Sequence, residues 1–144
     1  MQVVDTNIVA YLLLQGDRTA AARALFARDS DWRSDSFALV EFCNVLATMV
    51  RTRSLPATRA REALSKAEQI LEPGLHPAAH GASLATAEEF GISVYDARFL
   101  VVAQALSARL VTEDGKLRRA APALTQSLSD SLRQLGDYQT PSQG

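Results

Sequence analysis

Hydrophobic positions fall in short runs between polar breaks, and their spacing alternates between that of strands and that of helices. Residues 2–5 read as a short buried strand that ends on an acid, Asp5. Residues 6–14 are apolar at helical spacing and stop at Gly16 and Asp17; residues 19–28 are alanine-rich and helical. Residues 31–35, around Trp32, read as a second strand. Ser36 is a good N-cap for a helix running to about Arg51, with Leu39, Phe42, Cys43, Leu46, Met49 and Val50 as one apolar, core-facing stripe. Pro56 suits the first turn of the next helix, which closes by about Glu72, before Pro73 and Gly74. A helix over 77–90 stops at Gly91, and Ser93 with Asp96 has the capping-box spacing that opens another, through Leu106. Residues 109–112 form a strand whose turn is Glu113, Asp114 and Gly115. A short helix follows from Lys116 and breaks at Pro122, and residues 125–128 read as a last strand. A single domain is expected over 1–135, with 136–144 a flexible tail.

Short strands alternating with helices imply a parallel sheet. The expected class is α/β, a three-layer α/β/α sandwich with a short-stranded parallel sheet. Ligands of such sheets bind beyond the carboxyl ends of the strands, where the pattern puts Asp5 and Asp114. Asp96 falls in the first turn of its helix, and Glu41 more than one turn into another.

The bulk properties narrow the classes. A chain of 144 residues suits one domain, and 47% hydrophobic with 22% charged residues supports a buried core. No apolar run reaches the ~18 residues of a membrane span, and the first residues lack the pattern of a secretory signal. One cysteine, Cys43, leaves no internal disulfide, so a cytoplasmic location is the expectation. A net charge of −1 argues against nucleic-acid binding by bulk attraction. It leaves open a local site where cations held by acids meet phosphates.

Oxygen-rich carboxylate sites suit hard cations such as Mg²⁺ and Mn²⁺, and paired ions of this kind cleave phosphodiesters. Each acid alone also has an ordinary reading. Asp5 caps a helix, Asp96 faces a helix dipole, Glu41 is solvated opposite the apolar stripe, and Asp114 is a turn residue. The constellation carries the weight.

Four segments give it a pattern. Val3-Val4-Asp5-Thr6-Asn7 resembles the opening motif of PIN domains, and Glu41-Phe42-Cys43-Asn44 their glutamate helix. Val94-Tyr95-Asp96-Ala97-Arg98-Phe99-Leu100 is similar to the third motif, and Thr112-Glu113-Asp114-Gly115 to the last. Within the family the chain resembles VapC-type toxins of prokaryotic toxin–antitoxin pairs. That resemblance implies a Mg²⁺- or Mn²⁺-dependent endoribonuclease acting on tRNA or ribosomal RNA. It implies a homodimer and a cognate antitoxin that covers the site. It makes Asp5, Glu41, Asp96 and Asp114 the metal-holding catalytic acids, with Asn7 and Thr112 in support. Asp35 departs from the family pattern and adds charge beside the site; Glu113, next to Asp114 on an extended segment, points away.

Two basic clusters are candidates for RNA phosphates: Arg51 and Arg53, and Lys116, Arg118 and Arg119. His76 and His80 share a helical face but lack a glutamate between them, so they read as ordinary packing or surface histidines. Tyr11, Leu12, Leu13, Leu25 and Phe26 are either core or a partner surface. The rival readings are a PIN-like module that works by binding protein or RNA, and a free-standing RNA-processing nuclease. An acid-cluster phosphatase would show Asp-x-Asp after the first strand, which Asp5-Thr6-Asn7 does not.

Overall fold

A computed structural model describes residues 1–136. Along it run β1 (Gln2–Val4), α1 (Thr6–Leu13), α2 (Thr19–Arg28), β2 (Trp32–Asp35), α3 (Ala38–Arg51) and α4 (Ala57–Leu71). A 3-10 turn (Glu72–Gly74) leads to β3 (Leu75–His76), α5 (His80–Phe90), α6 (Val94–Ala105) and β4 (Leu110–Val111). The described chain closes with α7 (Gly115–Ala120), β5 (Thr125–Gln126) and α8 (Leu128–Gln134).

All five strands are parallel, in the order β3-β2-β1-β4-β5. Val3 and Val4, paired with Leu110 and Val111 on β4, have no exposed surface because helices cover both faces of the sheet. α6 packs on β2, β1 and β4, while α4 packs on β2 and against α1 and α3. The three-layer α/β/α arrangement expected from the alternation is what forms. The chain winds from β1 outward through β2 to β3, then returns to β4 on the other side. The order therefore reverses between β1 and β4, and at such a switch point the loops beyond the strand ends part and leave a crevice.

The core is the apolar set that the spacing marks, including Ile8, Leu25, Phe42, Leu46, Leu71 and Leu100. Phe26 meets Trp32 edge-on at 5.3 Å. Leu12 and Leu25 are buried, and Tyr11, Leu13 and Phe26 pack against the core. Gly91 ends α5 with φ 63°, the left-handed cap that a glycine adopts at no steric cost.

Several expectations are corrected. Cys43 is exposed; it stands about 100° round the helix from Phe42, outside the buried stripe. Ser36 does not cap α3: the helix starts only at Ala38 with Phe37 at the N-cap position, and the Ser36 hydroxyl accepts from Arg98 Nη2 at 3.4 Å instead. Pro56 is the N-cap of α4, not its first residue. The helix expected from 77 begins at His80, since residues 75–76 pair with β2 as an edge strand. His76 is thus on a strand and His80 on a helix, and they do not share a helical face. β5 ends at Gln126, and Ser127 caps a helix absent from the sequence reading, its hydroxyl accepting from Asp130 N. The Gly136 carbonyl accepts from Arg28, and the tail expected beyond it lies outside the described residues. No described helix is long and apolar enough to cross a membrane.

Candidate active site

Asp5 follows β1 directly and is 7% exposed. Its Oδ1 accepts the Ile8 N–H at 3.1 Å, which caps α1. Thr112, just past β4 and fully buried, donates its hydroxyl to the same carboxylate. The Thr112 Oγ1 also accepts the Asp114 N–H at 3.1 Å. One hydroxyl therefore ties the two sides of the switch point together. Asp114 in turn caps α7, accepting from Lys116 N at 2.9 Å and Leu117 N at 3.2 Å.

The other two acids come from longer helices. Asp96 lies in the first turn of α6, where Ser93 caps the helix by accepting the Asp96 N–H at 3.0 Å. Glu41 also lies in the first turn of its helix, α3, and not deeper as the sequence suggested, because that helix starts late. Its Oε2 accepts the Thr6 hydroxyl at 2.6 Å. All four carboxylates thus stand at the N-terminal ends of helices, whose partial positive charge favours an anion by a few tenths of a kcal/mol up to ~1 kcal/mol each.

These acids line one crevice of about 470 Å³, with Asn7, Phe37 and Tyr95 among their neighbours. Their charges oppose one another. Burial pushes Asp5 up to about 6, and the charges of Asp114 and Asp96 add to that rise, while the Thr112 and Ile8 hydrogen bonds resist it. Burial raises Asp96 as well, helped by Asp114. Glu41 is raised chiefly by burial and secondarily by Asp35 and Asp96, against the pull of the Thr6 hydroxyl. Among the described residues, no three His, Cys, Asp or Glu side chains are drawn together tightly enough to clamp one ion. The donor set is wholly oxygen and its net charge is uncompensated, which fits a hard divalent cation and not a soft one.

Asp35 is accounted for elsewhere. It is 1% exposed and takes both arms of the Arg98 guanidinium, Nε at 2.9 Å and Nη2 at 2.7 Å. Glu113 points away, as expected: it accepts Leu128 N at 2.8 Å and lies 3.6 Å from Arg18. Of the basic candidates, Lys116 borders Asp96 and Asp114, and its charge lowers Asp96. Arg119 lies against Gly115, and the Arg118 Nε is buried without a hydrogen-bond partner. Arg51 and Arg53 are not brought to the acids. Arg51 is ten residues beyond Glu41 on α3, about 15 Å along the axis, and contacts Thr48. Sequence reasoning missed Thr6, Phe37 and Arg98, although Thr6 and Arg98 lie inside the first and third motifs.

The chain belongs to the PIN-domain family, which matches residues 3–122. Three solved structures share the fold. PAE2754 from Pyrobaculum aerophilum superposes with a TM-score of 0.75 at 20% identity, over 93% of this chain and 95% of that one. A toxin-antitoxin complex from Klebsiella pneumoniae gives 0.60 at 23% identity, over 88% and 97%. FitAcB from Neisseria gonorrhoeae gives 0.63 at 17% identity, over 88% and 96%. No curated protein matches the chain.

Proposed function

We propose that the chain is a metal-dependent endoribonuclease and the toxin of a toxin–antitoxin pair. The observation that carries this reading is the convergence of Asp5, Glu41, Asp96 and Asp114, from four separate elements, on one crevice at the switch point of the sheet. PIN domains are generally nucleases, and this chain has a full set of acids for that work. Asp5, Asp96 and Glu41 would hold Mg²⁺ or Mn²⁺, with Asp114 completing the site. When bound, such a cation supplies a more acidic water and neutralises charge on the phosphate.

The chain's own residues supply the rest. The Thr112 hydroxyl fixes the Asp5 carboxylate and the turn that carries Asp114. Asn7, exposed at the crevice, offers an amide to order a water. Lys116 gives the RNA a phosphate contact beside Asp96. Water would add to phosphorus in line with the leaving 3′ oxygen, so that the P–O3′ bond breaks, the 5′ side keeps the phosphate and the proton given up by the water ends on the 3′ hydroxyl. The toxin role is supported by the four motifs and by the likeness in fold to the toxin-antitoxin complex from Klebsiella pneumoniae. A homodimer and an antitoxin covering the crevice come with that reading, as does a tRNA or ribosomal RNA target.

Asp5→Asn and Asp96→Asn should each lower Mn²⁺-dependent RNA cleavage by at least about 100-fold, the upper range for disturbing residues that only support a metal. Circular dichroism should show both variants folded. Undiminished cleavage by both overturns the assignment.

A further inference from the structure

Two of the acids in the crevice ride on helices that lean on different neighbours. Glu41 is on α3, which packs on α4 and α1, and Asp96 is on α6, which packs on α5 and β2. A hard cation takes carboxylate oxygens at about 2.0–2.6 Å, and Mg²⁺ tolerates little departure from octahedral angles. A slide of one helix against the other by ~1 Å is enough to undo such a site. Something has to fix the spacing of the two helix ends.

Arg98 is placed to do so. It lies two residues past Asp96 on the same helix, so the two move together. Its guanidinium reaches three consecutive residues of the turn that leads into α3. Nε and Nη2 donate to Asp35 at 2.9 and 2.7 Å, Nη2 also donates to the Ser36 hydroxyl at 3.4 Å, and the guanidinium stands 4.6 Å from the Phe37 ring centroid. Glu41 follows by one helical turn, its N–H donating to Phe37 O at 3.0 Å. On its other side the turn is pinned to the sheet edge, where the Ser36 N–H donates to His76 O at 2.9 Å. A planar fork that meets a carboxylate, a hydroxyl and a ring at once fixes direction as well as distance.

Stability alone does not call for this pair, because apolar side chains of similar volume often serve a buried position as well or better. Nor does the pair add net charge to the crevice: Asp35 and Arg98 act on Glu41 in opposite senses. We infer that Arg98, through Asp35, Ser36 and Phe37, is a positioning residue that sets the distance between the Glu41 and Asp96 carboxylates at which both reach one divalent cation. Neither Arg98 nor Asp35 touches the cation or the RNA; they act through the two acids. This rests on the metal-dependent nuclease reading and adds to it the part of the fold that regulates its geometry.

Calorimetric titration of Mn²⁺ into the metal-free protein reads this without turnover. Asp35→Val combined with Arg98→Met replaces the pair by apolar groups and leaves the net charge unchanged, so thermal melting should stay near that of the wild type. Its Mn²⁺ affinity should nonetheless fall by about 10- to 100-fold, the range for removing groups that orient metal ligands. Arg98→Gln tests the sign. It removes a positive charge beside the crevice, so charge alone would hold Mn²⁺ as tightly or more tightly, whereas loss of the clamp weakens binding. Arg98→Lys keeps the charge without the fork and should stay several-fold weaker than the wild type. Wild-type affinity in the folded double variant, equal or tighter binding by Arg98→Gln, or full affinity with Arg98→Lys would each overturn the clamp and leave the nuclease reading standing. Absent Mn²⁺ binding by the wild type, or undiminished cleavage by Asp5→Asn and Asp96→Asn, would overturn that reading and the clamp with it.

Discussion

Asp5 and Asp35 occupy matching corners of the molecule. Each stands at the carboxyl end of a central parallel strand, β1 or β2, and each is buried, at 7% and 1% exposure. They differ in what faces them. Asp35 takes a two-armed ion pair from Arg98, so its charge is met inside the protein. Asp5 faces Asp96 and Asp114, and its compensation is limited to a hydroxyl, a backbone N–H and the end of α1. Burial of an acid is therefore not the mark of a functional site here. A buried acid whose charge the fold leaves unmet is the better candidate, because a proton or a bound cation is needed to complete it.

The same substitution at the two corners should act in opposite directions. Asp35→Asn leaves the Arg98 guanidinium buried without its counter-charge, which should cost about 3 kcal/mol, the lower end for a broken buried pair because the amide oxygen still accepts one bond. Urea unfolding at pH 7.5 measures it. A loss below about 1 kcal/mol would mean that the pair is weak and the contrast with Asp5 empty.

Asp5→Asn should instead stabilise the metal-free protein. The Asp5 carboxyl titrates at about 6 in the fold against an ordinary 3.8. Because folding raises it, the neutral form favours the native state. Stability from this group is fully present below the ordinary value and is lost as pH rises through about 6. Holding the charge at pH 7.5 costs up to about 3 kcal/mol. Asparagine escapes that cost and keeps an oxygen to cap Ile8. In EDTA at pH 7.5 the variant should melt higher than wild type, with the advantage fading as pH falls through about 6. A lower melting point at pH 7.5 would show that the Asp5 charge is met inside the fold after all.

The two corners also differ in how much of each is legible in the sequence. Asp5 and Asp96 are marked locally: one ends an apolar run before a helix, and the other sits three residues past a capping serine. The Asp35–Arg98 pair joins residues 63 apart and leaves no local trace. β3 escapes detection because two residues carry no period, and their strand character comes from pairing with Ser34 and Asp35. α8 is hidden for a similar reason, since its seven residues are too few to show a helical stripe against the strand that precedes them. Cys43 is misplaced because a stripe drawn from apolar identity alone is wider than the face that packs. The position of Glu41 depends on where α3 starts, and that is Ala38, two residues past the Ser36 N–H that pairs with His76.

Glu41 lies between the two extremes and gives the finest test of the comparison. It is half-buried, raised like Asp5, and relieved chiefly by the Thr6 hydroxyl at 2.6 Å and less by the Arg98 charge. Valine has nearly the shape of threonine but cannot donate. Thr6→Val should therefore cost about 1 kcal/mol at pH 7.5, a charge-assisted bond discounted for the solvent that reaches Glu41. For a domain of this size that is about 4 °C in melting temperature. The bond lowers the Glu41 pKa from where burial alone would hold it. Its stabilising effect therefore exists with the carboxylate charged and vanishes on protonation, so the gap between variant and wild type should close as the solution is acidified. A gap independent of pH would assign the loss to packing of the new methyl group. The ranking of the three acids by how the fold meets their charge would then rest on Asp5 and Asp35 alone.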